Sequence, residues 1–151
     1  SLIQMRPEGG TAYGTLEWVA YASNAFNTMV PFYADVDETP EYLANTTGEV
    51  STENFYWTSR MIAAMADASY GKSLFHVEHY QENVLAKSHA LINQYDALLA
   101  DEKDPEKQME LKRKANRKVA EMVQKEASAT LKKVLYELSN QMKNSYARSD
   151  V

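Results

Sequence analysis

From Pro105 to about Tyr146 the chain holds neither glycine nor proline, and its apolar residues recur at the threes and fours of an α-helix. Val119, Met122, Val123, Leu131, Val134, Leu135, Leu138 and Met142 form the stripe. An unbroken helix of that span is roughly 60 Å long at about 1.5 Å per residue. A compact domain of 151 residues has a radius of gyration of about 15 Å, hence a diameter of about 40 Å. Such a helix either projects from its own domain or lies over a larger body. Asp104-Pro105-Glu106 starts it with an N-cap, a proline at the first helical position and an acidic first turn. Asp101 to Asp104 separates it from a second amphipathic segment, in which Val77, Val84, Leu91, Tyr95 and Leu98, supported by Leu85, Ile92 and Leu99, mark the core-facing side. Two long helices joined by a short connection lie antiparallel, so residues 72–151 read as a helical hairpin.

The N-terminal part has a different grammar. Leu2 to Met5 is short and extended, like a strand entered part-way, and Arg6-Pro7-Glu8-Gly9-Gly10 turns the chain, with paired glycines that tolerate positive φ. Tyr13-Gly14-Thr15 prolongs the loop. Leu16, Trp18, Ala20 and Ala22 then alternate with Glu17, Val19, Tyr21 and Ser23, the period of two that predicts a second strand antiparallel to the first. A two-stranded hairpin is marginal in water, so this pair calls for further strands that the chain does not supply. Pro31 is expected to interrupt the apolar run, because it cannot donate to a sheet ladder. Thr39-Pro40-Glu41 opens a short helix that Asn45 to Gly48 ends, and Ser51 or Thr52 caps another running to about Asp67. The fold class is therefore α+β, mostly α, in one unit: strands and loops over 1–36, short helices over 37–71, and the hairpin over 72–151.

Within this frame the stretch from Glu17 to Tyr33 is almost uncharged and rich in aromatics, yet it carries Ser23, Asn24, Asn27 and Thr28. Buried amides and hydroxyls need hydrogen-bond partners, so these residues predict a polar network or a pocket wall. Asn24 and Asn27 are the candidate substrate-binding residues, since an amide can donate to an oxyanion or hold a peptide carboxylate. The competing role is local backbone bonding in a turn.

Charge is unevenly placed. Glu8, Glu17, Asp35, Asp37, Glu38, Glu41, Glu49 and Glu53 face only Arg6 through residue 57, whereas residues 103–133 are rich in Lys and Arg. Interleaved Glu106, Glu110, Glu121 and Glu126 make that basic segment a solvated helix face rather than a nucleic-acid surface, and the acidic and basic parts are placed to attract one another. The chain has no cysteine, which excludes a disulfide scaffold, a cysteine zinc site and a thiol nucleophile of its own, and fits a reducing, cytoplasmic compartment. No run of about twenty apolar residues predicts a membrane span.

His76 and His79 are spaced for one helix face, but with His89 they match no zinc pattern, so no metal site is expected. The acidic loop lacks a calcium-loop pattern, and no glycine-rich phosphate loop or GxSxG elbow points to a cofactor or a serine nucleophile. Trp18 and Trp57 read as core aromatics, and the helical methionines as packing.

The run Trp18 to Tyr33, WVAYASNAFNTMVPFY, resembles the C-terminal part of the bacterial dipeptidase A family. Thr39-Pro40, Asn45-Thr46-Thr47 and Ser51-Thr52-Glu53-Asn54-Phe55-Tyr56-Trp57 follow in a similar order, so the resemblance spans roughly residues 2–70 and fades along the later helices. It implies an N-terminal-nucleophile cysteine peptidase with a four-layer αββα fold, which cleaves dipeptides through the thiolate and α-amino group of an N-terminal Cys. A cysteine-free chain would then be a C-terminal fragment, inactive alone, whose partners are a dipeptide and the remainder of its own polypeptide, with homo-oligomer formation as a further expectation. The alternative is a helical scaffold that binds partner helices or dimerises through residues 73–148.

Overall fold

The protein is described from a computed structural model that describes residues 1–149, with side chains described as far as Met142. Three short strands, β1 (Leu2–Met5), β2 (Thr15–Val19) and β3 (Val30–Tyr33), form one antiparallel sheet in the order β1-β2-β3. The hairpin expected of the first two is present, with Leu2 opposite Trp18 and Met5 opposite Thr15. Its connection is not a plain loop: a 3-10 turn (Pro7–Gly9) and a one-turn helix α1 (Gly10–Tyr13) fill it. Gly10 sits at φ 52, and a Cβ on Gly14 would lie 2.2 Å from the Gly10 carbonyl oxygen, so both ends of α1 require glycine.

Three strand expectations need correction. The chain itself supplies a further strand, since β3 pairs antiparallel with β2. β2 stops at Val19 rather than Ser23, and the chain then leaves the sheet through a left-handed Ala22 at φ 74. Pro31 does not interrupt the apolar run but lies inside β3, opposite Trp18. The reason is phase. The Tyr33 N–H points away from β2, to the Asn116 side chain, while the neighbouring Ala34 N–H donates to Thr15. Two residues earlier, Pro31 falls at the same outward position, where the ladder needs no donor.

The helices follow as α2 (Glu41–Ala44), α3 (Phe55–Ala68), α4 (Tyr70–Asp101) and α5 (Pro105–Ser149). The cap of α3 is Asn54, neither Ser51 nor Thr52: its Oδ1 accepts from the Trp57 N–H at 2.9 Å. Ser69 alone separates α3 from α4, with φ −128 and its hydroxyl back-bonded to the Met65 carbonyl at 2.7 Å. Asp104 caps α5 as its sequence suggests, accepting from Glu106 N–H at 3.0 Å. Lys87 pairs with Glu126 and His76 with Glu137, contacts that step in opposite directions along the two helices and fix the hairpin as antiparallel.

The hairpin does not project as a free arm. Buried Ala115, Val119 and Val123 on α5 join Leu16, Phe32 and Tyr33 of the sheet and Phe55 and Ile62 of α3 in one core. Along α4 the expected Val77, Val84 and Tyr95 are buried with the supporting Ile92 and Leu99, and Leu91 packs partly buried against the core, whereas Leu85 and Leu98 are about half exposed. Met65 and Met122 pack against the core, but Leu135 and Met142 face outward.

The attraction between the acidic N-terminal portion and the basic helix is realised as a ladder. Asp35 meets buried Lys112 at 2.8 Å, Asp37 grips Arg113 through two bonds of 2.7 and 2.6 Å, and Glu38 grips Arg117 at 2.8 and 2.6 Å. Hydrogen bonds from Arg113 and Arg117 hold the Asp37 and Glu38 carboxyls below their ordinary range. A carboxyl whose folded pKa is depressed stabilises the fold above its unfolded pKa, about 4, and loses that contribution as pH falls through the folded value. Thermal unfolding followed from pH 5 to pH 2 should therefore show a falling melting temperature, and a D37N/E38Q variant should flatten that slope while changing little at acid pH. Both groups are exposed, so the effect is small. Among the described residues, no helix is long and apolar enough to cross a membrane.

Candidate functional site

The loop between β2 and β3 is pinned at both shoulders and open at its tip. Tyr21 lies edge-on to Phe55 and Tyr56, with centroids 5.4 and 5.5 Å away, and tethers the first shoulder to α3. On the other side Phe26 is buried against Tyr70, and Gln81 of α4 donates to the Asn27 carbonyl at 2.7 Å. Between them the Ser23 carbonyl accepts from the Phe26 and Asn27 N–H groups and closes a tight turn. Ser23, Asn24 and Ala25 are therefore held outward, on a fixed base.

The two candidate asparagines differ in what this geometry leaves them. Asn24 is exposed at the tip, and its side-chain amide has no hydrogen-bond partner among the described residues. Asn27 is half-buried and its Nδ2 donates to the Ala22 carbonyl at 3.3 Å, the local backbone bond that a turn asparagine commonly makes. That bond supports the carbonyl preceding Ser23 while Ala22 holds its positive φ. Ser23 and Asn24 are not buried, so of the four polar residues in this stretch only Thr28 is enclosed.

Beside the tip is a cavity of about 360 Å³ lined by Ala22, Ser23, Tyr56, Arg60 and Ala63. Sequence reasoning did not single out Arg60. A signal was present in the run Tyr56-Trp57-Thr58-Ser59-Arg60, since a cation four residues after one aromatic and three after another lies over both rings on a helix. Its guanidinium carbon is 5.6 Å from the Tyr56 centroid and 5.4 Å from that of Trp57, and Nη1 donates to the Tyr56 hydroxyl at 2.8 Å.

Other residues weighed from sequence are occupied within the fold. Trp57 donates to the Thr47 carbonyl and Trp18 to the Gln4 side chain, each at 2.9 Å, so both are aromatics with satisfied polar ends. His76 bonds Glu137 at 3.1 Å, His79 stacks on Phe75 and His89 leans on Trp18. Among the described residues, no three metal-ligating side chains come together.

Behind the sheet a second network ties its strands to α4. Arg6 donates to both Asp96 carboxylate oxygens, at 2.6 and 3.0 Å, and to the Tyr13 carbonyl, while the Tyr33 hydroxyl donates to Asp96 Oδ1 at 2.7 Å. Burial and the hydrogen bond to Asp96 raise the Tyr33 pKa, so the phenol stays a donor.

Residues 1–83, which contain the sheet, the loop and the cavity, match the family model of peptidase family C69. The chain belongs to peptidase family C69. Curated relatives align along nearly all of this C69 chain. A probable dipeptidase A of Streptococcus pyogenes serotype M18 is 40% identical over 99% of the chain, and a dipeptidase of Bifidobacterium longum is 34% identical over the same share. A probable dipeptidase B of Lactococcus lactis is 30% identical over 63% of it. The likeness thus extends through the helical hairpin instead of fading after residue 70. The C69 chain spans 31% of the length of the first relative and 35% of the second.

Proposed function

We propose that this chain is the C-terminal portion of a dipeptidase that hydrolyses dipeptides by cysteine-nucleophile acyl transfer, with the nucleophile on another part of the polypeptide. The carrying observation is the C69 match together with the absence of any cysteine from a chain that spans about a third of its dipeptidase relatives. In that reaction a thiolate attacks the scissile carbonyl, the C–N bond breaks and releases the C-terminal amino acid, and water hydrolyses the thioester. An amide aimed at the reacting carbonyl would stabilise the intermediate oxyanion. Asn24, projecting from a pinned turn with its amide unpartnered among the described residues, fits a substrate-facing role better than Asn27, whose amide is engaged locally.

The rest of the polypeptide has a place to join. Leu2, Ile3 and Met5 of the edge strand β1 are more than half exposed, and Met5 reaches 80%. Edge backbone with apolar side chains is a surface on which further strands would add. The same reading includes the four-layer αββα arrangement. We also propose a cytoplasmic location, supported by the cysteine-free composition.

In the full-length polypeptide, Asn24→Ala should lower dipeptide turnover at least tenfold, as loss of an oxyanion donor does, with the melting temperature nearly unchanged. Steady-state assay beside calorimetry checks this, and a large loss of both would assign Asn24 to structure. Pretreatment with iodoacetamide should abolish hydrolysis, and full activity after alkylation would remove the cysteine mechanism.

A further inference from the structure

Each of the other arginines with a described side chain is engaged by a carboxylate: Arg6 by Asp96, Arg113 by Asp37 and Glu110, Arg117 by Glu38. Arg60 is exposed and has no carboxylate partner among the described residues, yet its guanidinium is held in place. Its guanidinium lies against Tyr56 and Trp57 and bonds the Tyr56 hydroxyl. Those rings are fixed in turn, Trp57 by the Thr47 carbonyl and by the Asn54 cap on its N–H, Tyr56 by edge contact with Tyr21. A planar guanidinium presents a rigid fork suited to a two-oxygen anion, and one held on aromatic faces loses less freedom on binding.

The fork borders the cavity that Ala22 and Ser23 also line. Ala22 is the one non-glycine residue at positive φ among those described, a conformation that surroundings must enforce and that concentrates at ligand sites. A cation with no acid partner among the described residues, an immobilised aromatic seat and a strained backbone thus converge on one hollow next to the Asn24 turn.

We infer that Arg60 receives the free α-carboxylate of the substrate in this cavity, which makes it the residue that selects peptides ending one residue beyond the scissile bond. The inference rests on the dipeptidase reading. It adds a physical reason for the short substrate: a cation that close to the cleavage point rewards a terminal carboxylate and leaves a continuing peptide chain without a matching charge.

The test uses the full-length polypeptide and two substrates, one dipeptide and the same dipeptide with a C-terminal carboxamide. Charge-assisted hydrogen bonds are lost in Arg60→Ala, so kcat/KM for the acid should fall about 10- to 100-fold while that for the amide stays within about twofold. Arg60→Lys, which keeps charge but not the fork, should fall between. Equal losses on both substrates at an unchanged melting temperature, or no loss on the acid, would overturn the assignment and leave the dipeptidase reading standing. A wild-type protein that cleaves neither substrate would overturn that reading, and the assignment with it.

Discussion

Replacing Asp96 by alanine is expected to destabilise the fold by about 2 to 3 kcal/mol, since hydrogen bonds to a charged group contribute about 1.5 to 3 kcal/mol and this ion pair is part-buried. Arg6 and Asp96 side chains are only 14% and 18% exposed, so solvent screens them weakly. The carboxylate serves two donors at once. Without it the guanidinium keeps the Tyr13 carbonyl but loses both charge-assisted bonds, and the Tyr33 hydroxyl keeps only its longer contact with the Ile92 carbonyl, 3.3 Å. Because the network joins the turn after β1, strand β3 and helix α4, the damage should appear as one cooperative loss. Chemical denaturation should show a lower midpoint with an unchanged slope. Asp96→Asn should cost less, since it keeps an acceptor for one donor. A midpoint shift below about 1 kcal/mol for the alanine variant would mean that hydrophobic packing, not this ion pair, anchors the sheet to α4.

Asn116→Leu is expected to cost a further measurable amount by a different route, about 2 to 6 kcal/mol. Asn116 is buried on α5, and its amide stands in for an absent neighbouring strand: Oδ1 accepts the Tyr33 N–H at 2.8 Å and Nδ2 donates to the Tyr33 carbonyl at 3.1 Å. Leucine matches its size but leaves two buried backbone groups unpaired, each at about 1 to 3 kcal/mol. For a domain of this size that corresponds to a melting temperature lower by roughly 5 to 15 °C. Asn116→Asp, which keeps the acceptor and loses the donor, should recover part of it in a thermal scan. A leucine variant as stable as the parent would show that water satisfies the strand edge.

These two residues mark where sequence reading ran out. The helical hairpin, the break at Asp101 to Asp104, the Asp104 cap and the pairing of acidic loop with basic helix were legible, because periodicity, capping and charge are local signals. Asn116 was not, although an amide on the same helix face as Ala115 and Val119 is a polar group at a core position and asks for a partner. The partner was an edge strand whose existence depended on Pro31 falling at an outward phase, and that phase is set by the pairing of β2 with β3, not by proline. On α4 only Leu85 and Leu98 were misplaced: Leu98 sits beside Leu99, and the fold, not the local pattern, decides which member of the pair is buried.

At the candidate site the same division holds. The unusual amide-bearing stretch was visible, and with it Asn24 and Asn27, but their different fates follow from a turn fixed by Tyr21, Phe26 and Gln81, all three through contacts with residues far away in the chain. Arg60 was overlooked because a lone arginine on a helix looks like solvated surface. Its distinction is that no acid pairs with it among the described residues, and that is a property of the folded arrangement.

The proposed role, a necessary part of a dipeptidase whose nucleophile lies elsewhere in the polypeptide, is tested by release of free amino acids from a dipeptide, followed by mass spectrometry for the full-length polypeptide and for residues 1–151 alone. Release by the full-length protein, sensitive to thiol alkylation, and none by residues 1–151 is the expected result. Hydrolysis by residues 1–151 alone, or a full-length protein that leaves every dipeptide intact, would contradict it.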